Sequence, residues 1–149
     1  MHDVPDTVST LTELLEASRD GEYGFHACAE HVRAARLRVM FESRAAEWHT
    51  AAAQLQAHLA EMGGSPDPIA ALTGSVHRGW VAPRNELREQ SDHAMLVQCE
   101  RGEKAALETY ADALSEELPP RIRRLVEQQY EGVRRSQALL RRWLDTKLA

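Results

Sequence analysis

The chain has 149 residues, 43% hydrophobic and 28% charged, with a formal net charge of -5. This composition predicts one globular domain over residues 1-149 and excludes an intrinsically disordered chain. The acidic balance counts against general nucleic-acid binding, and no apolar run is long enough to cross a bilayer.

Met1 to Thr10 has no basic patch followed by an apolar stretch, so no secretory signal is expected and the default location is cytoplasmic. Helix formers then run in long blocks and strand signals are almost absent. The first helix is expected at about 7-33, with Asp6 or Thr7 as its cap and Ser9 and Thr10 as rival caps. Its three-and-four seam is Val8, Leu11, Leu15, Ser18, Glu22, Phe25, Ala29 and Val32. A carboxylate, Glu22, holds a central position in that stripe. Gly21 and Gly24 flank it, and glycine weakens a helix unless close packing requires it.

The second helix is expected at about 36-62. Leu37, Phe41, Ala45, Trp48, Leu55 and Leu59 lie on its apolar stripe, with Arg44 and Glu47 on the border. His49 and His58 read as surface residues. Gly63-Gly64-Ser65-Pro66-Asp67-Pro68 is the clearest stop signal in the chain. The connection from Gly63 to Pro83, about twenty residues, can span the length of a helix bundle at about 3.3 to 3.6 Å per residue. It therefore predicts parallel second and third helices joined by a long crossover. A short helix at Ile69 to Leu72 is expected within it, and Trp80 would anchor it to the bundle. A partner-binding role for His77 and Trp80 is the other reading.

The third helix is expected at about 85-118, with the seam His93, Leu96, Glu100, Glu103, Leu107, Tyr110 and Leu114. Pro119-Pro120 breaks it, and the fourth helix follows at about 120-146. Gln129 and Ser136 hold the polar positions on the fourth seam. Arginines from Arg121 to Arg142 are mixed with acidic residues, the pattern of a solvated helix face. Cys28 and Cys99 read as small core residues. Counted from the expected helix ends, they stand about 12 Å apart in height and form no disulfide.

Helical rise sets Glu22, Glu47, Glu100, Glu103 and Ser136 in one broad middle layer. A carboxylate is costly to bury unless it is paired, hydrogen-bonded or metal-bound. One reading is a di-metal site of iron or manganese held by Glu22, Glu47, Glu100 and Glu103, with His26 as the candidate histidine ligand. That reading makes the chain an oxidoreductase or an iron-handling protein. The other is a structural polar layer without a cofactor, in which Arg44 pairs with one carboxylate and Gln129, Ser136 and Tyr110 bond the rest. Helices two and four carry no Glu-x-x-His, so the non-catalytic reading is preferred and no catalytic residue is assigned. Leu139 and Leu144 lie outside the seams and leave room for contact in a homo-oligomer. No protein partner can be named from the chain.

Several short motifs occur in a defined order. They are Asp20-Gly21-Glu22-Tyr23-Gly24-Phe25, then Gly74-Ser75 with His77-Arg78-Gly79-Trp80. Glu100-Arg101-Gly102-Glu103 with Tyr110 follows, and then Leu118-Pro119-Pro120 with Gln129. Together they resemble a bacterial ferritin-like family of four-helix-bundle proteins of unknown function, over about Leu11 to Leu144. The resemblance implies an all-α, ferritin-like four-helix bundle with the long crossover between helices two and three. It also implies a dimer and a stress-related role. The family pattern places a His-Asp pair on helix four where this sequence has Ser136-Gln137.

Overall fold

Arg33 and Ala34 donate their backbone amides to the two carboxylate oxygens of Asp92, each at 2.9 Å. These bonds, across 59 and 58 residues, fix the topology. A computed structural model describes residues 4–63 and 89–146. Its described helices are α1 (Val4–His31), α2 (Ala35–Glu61), α3 (Asp92–Leu114) and α4 (Pro120–Asp145). The turn between α1 and α2 lies beside the start of α3, while α2 ends at the opposite end of the bundle. The chain must therefore travel the length of the bundle between Gly63 and Glu89. Helices α2 and α3 run parallel, as the length of that connection predicts. The expected helix at Ile69 to Leu72, with His77 and Trp80, lies outside the described residues.

The helix limits correct several expectations. Helix α1 begins at Val4, so Asp6, Thr7, Ser9 and Thr10 lie inside it rather than capping it. Thr7 is in fact buried. Helix α3 begins at Asp92 and not near Asn85. Ser91 is its cap, with the hydroxyl accepting from the Ala94 amide at 3.0 Å. Asp92 also serves α2, whose own cap residue, Ala34, supplies no side-chain acceptor. A carboxylate at that helix start favourably meets the positive end of the helix dipole. At the other end α3 stops at Leu114, where Arg123 donates to the Leu114 and Glu116 carbonyls at 3.0 and 2.7 Å. Pro119 then caps α4, and Pro120 takes its first turn, where no amide hydrogen bond is lost.

The late start of α3 also corrects the placing of the cysteines. Asp92 stands level with Ala34, so Cys28 and Cys99 reach the same height from that end. Their side chains are neighbours across α1 and α3. Both are free and fully buried. Burial, followed by the neighbouring Cys28, pushes the Cys99 thiol well above its ordinary value.

The core runs through all four helices. Leu11, Leu14, Leu15, Leu55 and Leu96 are at most 1% exposed, each contributing about 1.5–3 kcal/mol through burial. Phe25 and Phe41 meet edge to face at 5.9 Å. Among the described residues no helix is long and apolar enough to cross a membrane.

Candidate functional site: the mid-bundle polar layer

Glu103 on α3 is fully buried at the centre of the bundle. Arg44 on α2 donates Nε to Glu103 Oε2 at 2.7 Å. One turn further along α2, Trp48 donates its indole Nε1 to Oε1 at 2.9 Å. Ser136 on α4 stands beside the same carboxylate. Burial pushes the Glu103 carboxyl above its ordinary value, and Arg44, Ser136 and Trp48 offset part of that rise. The guanidinium of Arg44 lies 4.4 Å over the Trp48 ring, so the same two side chains hold each other and the acid.

Gly21 on α1 makes room for this arrangement. A Cβ there would stand 2.6 Å from Trp48 Nε1. Close packing therefore explains the glycine that the sequence places beside Glu22. Further along α3, Tyr110 is also fully buried, 6.2 Å from the Trp48 ring. Its hydroxyl donates to Gln129 Oε1 at 2.8 Å and lies 3.4 Å from the Ser18 hydroxyl. Burial raises the pKa of Tyr110, holding it neutral. Gln129 in turn donates to the Ala51 carbonyl at 3.2 Å and to Gln54 at 3.0 Å. Tyr110 thus bonds Gln129 and Ser18, and neither Tyr110 nor Gln129 reaches Glu103.

The other expected ligands point elsewhere. Glu22 sits at the border of α1 and α2, 31% exposed, bonded to Arg19 at 3.2 Å. His49 Nδ1 lies 2.8 Å from its second oxygen, a pairing that the surface reading of His49 did not include. His26 is exposed and lines the same outer depression as Glu22 and His49. Glu47 is 62% exposed and receives Arg44 Nη1 at 3.1 Å. Glu100 is half-buried between α3 and α4 and accepts from Gln137 Nε2 at 2.7 Å. Glu103 is therefore the one expected ligand that enters the core. Among the described residues no group of three or more His, Cys, Asp or Glu side chains could hold a metal ion. The sequence places Trp48 on the apolar stripe of the second helix and assigns it no polar role. A signal was available, since it lies one turn after Arg44 and buried indoles usually bond through their N–H.

A family model described as a domain of unknown function, DUF2383, matches residues 6–116, which stop before α4. No curated protein matches the chain. Among solved structures, it is similar to one described as a ferritin-like, diiron-carboxylate protein from Bacillus anthracis. The two share 19% identity at a TM-score of 0.75, over 97% of this chain and 99% of that one. At that identity the likeness establishes the all-α, ferritin-like four-helix fold and nothing about chemistry.

Proposed function

The chain belongs to the ferritin-like DUF2383 family, whose function is unknown, and from that premise we propose that it is a non-catalytic helical module. Its mid-bundle layer is closed by an arginine and an indole, and it works through self-association as a dimer or by binding a protein partner. One observation carries the reading: both oxygens of the buried Glu103 are taken by Arg44 and Trp48. A di-metal carboxylate centre needs several inward carboxylates and imidazoles facing a shared point. Here a fixed cation sits against Glu103, and Glu22, Glu47 and Glu100 are engaged at the borders of the bundle. Such a donor set does not fit a di-iron or di-manganese centre, and no reaction step is derived through one. A charged pair of this kind can hold helix register without adding much net stability.

The rival reading, a metal-dependent oxidoreductase or iron-handling protein, draws on the described nature of the Bacillus anthracis neighbour. Elemental analysis separates the two. The protein is stripped with chelator, loaded with ferrous iron or manganese, dialysed and assayed for metal and for thermal stability. A metal that binds only the folded state adds about 2.7 kcal/mol at a hundred times Kd. The expected result is less than one metal per chain and little gain in Tm. Two tightly retained metals per chain would overturn the proposal.

A further inference from the structure

Helix α2 packs mainly on α1, and α4 mainly on α3, which leaves a groove between α2 and α4. The groove holds a cavity of about 370 Å³, within the size range of small-ligand sites. One part of its wall is apolar, formed by Phe25, Val39, Met40, Leu139 and Leu140. Val39 is 66% exposed, the most conspicuous large hydrophobic on the described surface. Leu139, expected to be available for an oligomer contact, lines this wall, while Leu144 packs on the core.

The other part is cationic. Arg36, Arg44 and Arg135 line the cavity and Glu47 is its one acidic side chain, in a protein whose net charge is -5. Gly132 forms an open floor: a methyl group placed there would stand 3.9 Å from Arg135 Nη2 and 4.0 Å from Arg44 Nη1. Arg135 has no ion pair or hydrogen bond among the described residues. The Arg44 side chain is 9% exposed, and its buried Nη2 has no hydrogen-bond acceptor. A buried donor without an acceptor is costly, and its sister nitrogen Nη1 is the Arg44 atom that faces the Gly132 floor. Arg44 and Ser136 stand at one height, and the apolar residues follow from there toward the end that holds Arg36.

We propose that the groove between α2 and α4 binds a medium-chain organic carboxylate, with its head over Gly132 between Arg44 and Arg135 and its tail along Val39, Met40 and Leu139. Paired guanidinium groups suit a carboxylate because their N–H donors match its two oxygens. The apolar wall sets the preference for a tail over acetate. Glu47 competes with the ligand for Arg44 Nη1, and its exposure lets it swing into solvent. The site depends on Arg44 closing the layer, so it rests on the function proposed above. Its test is independent of metal uptake.

The test is calorimetric titration of the full chain with sodium octanoate, 1-octanol and sodium acetate, on the native protein and on the Arg135→Gln and Glu47→Gln variants. Both substituted residues are exposed, and circular dichroism checks that the variants fold. The expected result is one octanoate per chain, bound at least tenfold tighter than octanol or acetate. Arg135→Gln should weaken octanoate binding at least tenfold, and Glu47→Gln should leave it equal or tighter. Absence of saturable binding, equal affinity for octanol, or an unchanged Arg135→Gln variant would each overturn the proposal. Sedimentation gives a further outcome. A dimer that Val39→Asp disperses, in a protein that does not saturate with octanoate, would assign the groove to a second copy instead.

Discussion

Gly21 and Trp48 stand so close that a Cβ on the glycine would lie 2.6 Å from the indole nitrogen. Alanine in place of a helical glycine ordinarily stabilises by about 0.8–1 kcal/mol. Here the clash reverses the sign, because the indole is held by Glu103 and cannot withdraw. Gly21→Ala should destabilise by about 1–3 kcal/mol in urea unfolding. In a Trp48→Phe background the smaller ring should remove much of that cost. Equal costs in both backgrounds would refute the assignment.

Arg44→Met should cost about 3–5 kcal/mol at neutral pH, because it leaves the Glu103 charge buried without its cation. The pH dependence has a definite sign. The Glu103 carboxyl already lies above its ordinary value of 4.5 in the folded protein, and loss of Arg44 raises it further. The folded state then keeps a proton that the unfolded state releases. The stability linked to Glu103 is thus fully present below the ordinary carboxyl pKa and is lost as pH rises through the folded one. The gap between wild type and Arg44→Met should narrow toward acid, as denaturant melts across pH would show. A gap that widened as pH fell would contradict this account.

Asp92→Ala should weaken the junction of the first turn with α3. Two amide-to-carboxylate bonds are lost, at a cost of about 1–2 kcal/mol given their exposure to water. Hydrogen exchange at the Arg33 and Ala34 amides should accelerate in this variant. Asp92→Asn, which keeps one acceptor oxygen, should fall between wild type and Asp92→Ala.

Cys28 and Cys99 should remain thiols despite their contact. The thiolate is the attacking species in disulfide formation, and burial disfavours it at Cys99. Mass measurement under non-reducing conditions should retain both thiol hydrogens. Labelling with a thiol reagent should be slow in the native protein and fast for both cysteines in denaturant. Rapid native labelling would show that this part of the core opens.

The sequence by itself determined the helix count among the described residues, their approximate limits and the direction of each. Alternating three-and-four apolar spacing, Gly63 and Pro119-Pro120 are local signals, and each acts within its own segment. Height along the bundle was also largely legible, since each helical residue advances about 1.5 Å. It failed at Cys99 because Ser91-Asp92, and not Asn85, starts α3. Rotation about each helix axis was decided only by the tertiary structure. Glu22 and Glu103 occupy equivalent places in their predicted seams, yet Glu22 turns to the border and Glu103 to the centre. On α1 the space opposite Trp48 admits only Gly21, which turns its neighbour Glu22 away from the core. On α3 Glu103 is drawn inward by Arg44, 59 residues away in the chain, and by Trp48. A spacing pattern shows which residues share a stripe, but the width of the neighbour's side chain and the position of its charge decide which edge of that stripe faces the core.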